Sequence, residues 1–304
     1  MRPGQTGVPS TPAPDESSAR HLLQIGTTRL DIVRVRSIST ALLLCLSLGR
    51  AAGAQADTIP RTNLFTWRDL AIVEAFGILA VASAPLDRRM ALRFRDSTLQ
   101  RNMRLRKTAR AIRTIADPGA FIIGGGLYAY GRIAKDDKAA DLGLHGTEAL
   151  VVGHTLGLVL KGVIGRARPY HNIDNPHDYQ LMRGFGRGNE AYRSMPSGHT
   201  IAAFAAAAAV TSETSKWWPS SVWYIAPVMY GGAALTGISR MYNNRHWASD
   251  VITGAAIGTM AGVLIPRWHF SHPGNGFDKL FLGGSLRQTS SGWNAFSLQL
   301  APAF

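Results

Sequence analysis

A series of apolar runs separated by glycine- and proline-containing turns constrains this chain more than any other feature. They are Trp67 to Ala84, Phe121 to Ile133, residues 147–165, Thr200 to Val210, Val222 to Ile238 and Trp247 to Ile265. None alternates with period two, so each reads as a helix and the fold class as all-α, a helical bundle. The last run carries Gly254, Gly258 and Gly262 at i, i+4 spacing, a stripe that lets two helix backbones approach closely. Most of these runs are roughly 12 to 18 residues, short of the ~20 that a membrane span requires. Either a secreted helical domain or short spans interrupted by polar site residues fits that pattern.

Residues 1–33 are rich in Pro, Ser, Thr and Gly without apolar periodicity and read as a disordered extension or as upstream sequence. Arg34 and Arg36 then precede the apolar run Ala41–Leu48 and an Ala54–Gln55–Ala56 site, the order of an export signal cleaved after Ala56. An uncleaved anchor is the alternative, but the run is short for a span. The only cysteine, Cys45, lies inside this leader, so the mature chain is expected to have no disulfide, thiol nucleophile or cysteine-based metal site. The division expected is 1–56 extension and signal peptide, 57–114 helix and basic segment, 115–266 core, and 267–304 a tail with weak strand character around Phe296, Leu298 and Leu300.

Lys and Arg number 33 against 19 Asp and Glu, a net +14 that favours anionic partners. Nothing resembles a zinc finger, an RNP motif or a basic zipper, so nucleic acid is not expected. Much of the excess lies between Arg88 and Arg113, interleaved with Met90, Leu92, Phe94, Leu99, Met103 and Leu105, a pattern suited either to anionic headgroups or to a solvated helix face. The loop Tyr170–Ser194 is longer than a plain connection needs and is a candidate substrate loop.

Polar residues of chemical interest fall into three blocks. His246 and Asp250 stand four apart, which on a helix puts the carboxylate beside the ring, with Arg240 upstream to hold an anion. Lys161 and Arg168, two helical turns apart before Pro169, would form a cationic clamp on one helix face. Pro196–Ser197–Gly198–His199 precedes an alanine-rich helix: Ser197 is a candidate N-cap, Gly198 admits a ligand to the backbone, and the first-turn N–H groups favour an anion beside His199. His154 reads as a satisfied core histidine, His171 and His177 as loop residues within reach of a substrate, and Arg166 and Arg245 as solvated flanks of the clamp.

Together the blocks read K-x6-R-P, P-S-G-H and S-R-x5-H-x3-D, using Lys161, Arg168, Pro169, Pro196, Ser197, Gly198, His199, Ser239, Arg240, His246 and Asp250. The pattern resembles the type 2 phosphatidic acid phosphatase (PAP2) superfamily, which includes bacterial acid phosphatases and vanadium haloperoxidases, over about residues 115–265. The resemblance implies a bundle of the PAP2 and acid phosphatase type and a metal-independent phosphatase acting on phosphate monoesters or pyrophosphates, with lipid phosphates such as phosphatidate or a prenyl pyrophosphate foremost. His246 would attack phosphorus and form a phosphohistidine, with Asp250 fixing its tautomer. His199 would protonate the leaving oxygen and then activate water. Lys161, Arg168, Ser197, Gly198 and Arg240 would hold the phosphate. No cofactor or metal is implied, although vanadate could occupy the site as a phosphate mimic.

Three alternatives stay open from sequence: a vanadium-dependent haloperoxidase, a periplasmic acid phosphatase acting on soluble esters, and a non-catalytic envelope protein that binds anionic lipid through Arg88–Arg113. With the leader, the expected location is the exported, periplasmic side of a bacterial envelope, at an anionic membrane surface. Oligomeric state is not legible.

Overall fold

The computed structural model describes residues 64–282 and two short strands, 288–289 and 292–293. The leader, its cleavage site and the end of the tail with Phe296, Leu298 and Leu300 lie outside these residues. Thr66 opens α1 (Trp67–Ser83) through a reciprocal capping box with Asp69. Three short basic helices follow: α2 (Asp87–Phe94), α3 (Ser97–Arg101) and α4 (Met103–Thr114), with Asp96 and Asn102 capping the last two. The bundle proper comprises α5 (Ala120–Ala134), α6 (Asp137–Ile164), α7 (Gly198–Trp217), α8 (Val222–Tyr242) and α9 (Ala248–Ser271), then a short α10 (Gly276–Phe281). In the tail, β1 (Gln288–Thr289) pairs antiparallel with β2 (Gly292–Trp293).

Helix α7 is the axis of the bundle and packs against α6, α8 and α9. Its small residues make this possible: Ala202, Ala205, Ala207, Ala208 and Ala209 are fully buried. The glycine stripe of α9 meets it backbone to backbone. A Cβ at Gly254, Gly258 or Gly262 would fall 2.7, 2.3 or 2.4 Å from the carbonyl oxygen of Ser197, Ile201 or Ala205. That contact fixes how the N-terminal ends of α7 and α9, which carry the histidine blocks, face each other.

Several helices are longer than the apolar runs suggested. Helix α6 has 28 residues and begins at Asp137, where Asp136 caps it. Helix α7 continues past Val210 through a polar stretch whose Thr211, Glu213, Thr214 and Ser215 are buried, so polarity there marks an internal network and not a loop. Helix α9 runs through Pro266 to Ser271, within which the expected 266/267 boundary falls. Its last turns are held from outside: Arg267 donates to both carboxylate oxygens of Asp69 on α1, and His269 is clasped by carboxylates of α6 and α10.

Three segments, Trp67–Phe94, Asp137–Ile164 and Ala248–Ser271, are long and apolar enough to cross a membrane. The outward faces agree with that. Val151, Val152, Leu156 and Val159 on α6, Ile78 and Val81 on α1, and Trp223 and Val228 on α8 are all exposed, more apolar surface than a water-soluble bundle leaves uncovered.

Candidate active site

The three sequence blocks converge at one end of the bundle. Lys161 lies in the last turn of α6, buried, with its Nζ only 2.8 Å from where a Cβ on residue 198 would stand, so the absent side chain of Gly198 is the space the lysine occupies. Gly165, at φ +58°, ends α6, and an added Cβ there would strike the Gln180 carbonyl. The chain then leaves the helix, which corrects the expected two-turn clamp: Arg168 sits on an irregular strap, its N–H donating to Ala191 O and its Nη2 to Arg193 O. Lys161 and Arg168 come together from different elements, close enough for their charges to interact.

Arg240 projects from the last turn of α8 and is also buried. Among the described residues, none hydrogen-bonds to the buried Nε of Arg168 or of Arg240. Buried, unpaired guanidinium nitrogens are costly unless an anion completes them. Ser197 is the N-cap of α7 by backbone conformation but not by side chain: its N–H donates to Asp250 O, and its Oγ accepts from Thr200. Ser239 is buried and donates to Thr236 O within its own helix.

His246 precedes α9 and does not share a helix face with Asp250, as the spacing had suggested. Its Nδ1 lies 2.6 Å from the carbonyl oxygen of Ser194, and Asp250 Oδ2 is 3.8 Å away. A carbonyl only accepts, so Nδ1 carries the proton and Nε2 keeps its lone pair. Burial, with the charges of Arg168 and Lys161, pushes this imidazole down to about 3 against the pull of Asp250, so it is neutral at ordinary pH. His199, in the first turn of α7, is lowered to about 2, first by burial and then by Arg240, His246 and Arg113. Its Nδ1 lies 4.0 Å from Asp117 Oδ2.

Asp250 organises the floor of the site. It accepts from Ser194 Oγ at 2.5 Å, Trp247 N at 2.9 Å and Arg166 Nη1 at 2.5 Å. Arg166, expected to be solvated, is 1% exposed and bridges Asp250 to Asp87, which also accepts from both the N–H and the hydroxyl of Ser249. Its guanidinium is further enclosed by the rings of Tyr179 and Trp247. Of the other residues singled out, Arg245 is exposed over Tyr170, His171 hydrogen-bonds Tyr192 on the surface, and His177 is exposed. His154 is half-buried beside Phe121, and among the described residues none hydrogen-bonds to its Nδ1, so it is not the satisfied core histidine expected.

Residues 144–273 match the PAP2 superfamily, a span that includes every motif position from Lys161 to Asp250. This segment belongs to the PAP2 superfamily. The chain is 40% identical over 115 residues to a lipid A 1-phosphatase of Porphyromonas gingivalis, covering 38% of this chain and 23% of that protein. It is 35% identical over 119 residues to a lipid A 1-phosphatase of Rhizobium johnstonii, covering 38% and 43%. The alignments thus span less than half the length of these curated relatives. The crystal structure of a transmembrane PAP2 type phosphatidylglycerolphosphate phosphatase from Bacillus subtilis superposes with a TM-score of 0.50 at 21% identity, over 69% of this chain and 100% of that one. The PAP2 fold is therefore shared along the whole of that chain.

Proposed function

We propose that the chain is a membrane-embedded phosphatase that removes phosphate from a lipid phosphate through a phosphohistidine. The observation carrying this reading is a neutral, buried His246 with its Nε2 lone pair available, set among Lys161, Arg168 and Arg240, the buried Nε atoms of the two arginines having no hydrogen-bond partner among the described residues.

In the first step Nε2 of His246 attacks phosphorus, the phosphorus–oxygen bond to the lipid breaks, and His199 gives its proton to the leaving oxygen. In the second, His199 takes a proton from water as the water oxygen attacks phosphorus, and the phosphorus–nitrogen bond breaks to return the lone pair to His246. Lys161, Arg168, Arg240 and the Gly198 N–H hold the equatorial oxygens, on which charge is spread in the transition state. These steps need no metal ion.

A lipid substrate is favoured by an apolar cleft of about 330 Å³ lined by residues of α4 to α8. One end, at Ile115, Ala116 and Thr236, lies within a helical turn of Asp117 and Arg240, so an acyl chain there would lead its phosphate into the site. Three curated relatives are lipid A 1-phosphatases, which makes lipid A the first substrate to try. The exposed cations of α2 to α4 would rest on anionic headgroups at the same level, and the leader would place this end of the bundle on the exported, periplasmic side.

The test is phosphate release by the full chain in detergent from lipid A, phosphatidate, prenyl pyrophosphate and a soluble aryl phosphate, with EDTA added immediately before the assay. We expect lipid substrates to be preferred and an acid-labile phosphoprotein to be trapped by rapid quenching. Equal turnover of the soluble ester would favour the acid phosphatase reading, and halide oxidation after vanadate addition the haloperoxidase.

A further inference from the structure

We propose that His145, His269 and Asp278 bind a divalent transition-metal ion of the zinc class at the end of the bundle opposite the phosphate site. At about 1.5 Å per residue, His145 lies roughly 24 Å along α6 from Lys161, and His269 roughly 28 Å along α9 from Asp250. The proposed site is therefore remote from the catalytic chemistry.

Both histidines are fully buried and Asp278 is nearly so. One ligand atom from each of the three residues lies within 4.8 Å of the other two. His269 Nδ1 is 2.6 Å and His145 Nε2 3.7 Å from the same oxygen, Asp278 Oδ1. Ligands about 2.0 to 2.2 Å from a tetrahedral ion stand ~3.4 Å apart, so a small movement of these donors accommodates one.

Each ring's outer nitrogen is backed by its own glutamate. His145 Nδ1 is 2.5 Å from Glu213 Oε1, and His269 Nε2 is 2.5 Å from Glu148 Oε2. When a metal-ligating histidine donates its outer N–H to a carboxylate, the tautomer is fixed and the inner lone pair is directed at the ion. Here that arrangement occurs twice, aimed at one carboxylate oxygen. The rings also stack, with centroids 3.9 Å apart and planes 23° from parallel.

The charges point the same way. Glu213, Glu148 and Asp278 all contact the two imidazoles, and among the described residues none hydrogen-bonds to the buried Oε2 of Glu213. A bound dication would offset this negative excess, and imidazole with carboxylate suits zinc better than magnesium or calcium. Its consequence would be structural. Asp278 belongs to α10, positioned by its cap Asn275, so the ion would fasten α10 and the last turns of α9 to α6.

The test uses full-length protein purified without metal-affinity chromatography. Elemental analysis is expected to find close to one zinc per chain, EDTA to lower the melting temperature, and added zinc chloride to restore it. Glu148→Gln keeps a hydrogen-bonding group and should weaken zinc binding roughly 10- to 100-fold, and His145→Ala should abolish it. Phosphate release below the lowered melting temperature should persist in metal-stripped protein. If His145→Ala does not fold, the wild type and Glu148→Gln still decide. Protein without stoichiometric divalent metal, whose melting temperature responds to neither EDTA nor zinc, would overturn the proposal and leave an imidazole–carboxylate network without an ion.

Discussion

The proton on His246 Nδ1 is held by the backbone carbonyl of Ser194, 2.6 Å away, while Asp250 stands farther from that nitrogen, at 3.8 Å, and binds the Ser194 hydroxyl at 2.5 Å. The two contacts to Ser194 divide the labour. Its carbonyl sets the tautomer, and its side chain lets Asp250 hold the carbonyl in place.

Asp250→Asn should therefore lower kcat by much less than the roughly 10⁴-fold that a wrong tautomer costs in a serine protease triad. Ser194→Ala, which keeps the carbonyl, should show a smaller fall, with KM little changed. Steady-state kinetics on both variants and His246→Ala check this. If Asp250→Asn is as inactive as His246→Ala, the carboxylate acts on the ring directly.

Arg166→Met should act on stability before chemistry. It would leave Asp87 and Asp250 buried without their shared cation, a loss of about 3–5 kcal/mol for breaking a buried pair from one side. Arg88→Met, at an exposed pair with Asp174, should change the melting temperature little. Thermal unfolding in detergent distinguishes the two, and equal shifts would sink the distinction.

Turnover should be sensitive to alkali. His246 must be neutral, which its lowered value of about 3 ensures above that pH. His199 must be protonated, and burial and surrounding cations make that harder in the free enzyme. Raising pH removes the acid, so kcat/KM should fall from the acid side through neutrality. A bound phosphate dianion offsets the cations, so the alkaline limb of kcat should lie at higher pH than that of kcat/KM. A kcat/KM that climbs steadily to pH 9 would contradict these roles.

Gly198→Ala and Gly258→Ala should fail in different ways. The first places a methyl group against the flexible end of Lys161, so the lysine moves, stability is kept, and kcat/KM falls by about 10²-fold, as for one lost oxyanion donor. The second drives a methyl group into the Ile201 carbonyl, which cannot move alone, so the melting temperature falls. Kinetics and melting curves on both variants separate the cases.

The histidine blocks and the helical class were legible in the sequence because the motif residues lie near helix ends and apolar runs mark helices. Arg166 was not, since its burial depends on Asp87, far upstream, and on Asp250, far downstream. Ser194 acts on His246 through a main-chain oxygen that every residue type possesses. The clamp was misread because Gly165 ends α6 before Arg168, and two helical turns do not continue through a left-handed residue. His145, Glu213 and His269 lie where helices run on past their apolar stretches, and polar positions at such ends look like solvent-facing ends until packing is known.

The glycine stripe of α9 has a bearing on how substrate preference could diversify. With its backbone seated on carbonyls of α7, the distance between the proposed nucleophile and proton donor is set by main-chain atoms, and side-chain changes elsewhere cannot readily retune it. Variation must instead enter through the strap from Gly165 to Met195 and the apolar cleft. A new specificity would be reached by exchanging what surrounds the pair of histidines while their spacing stays the same.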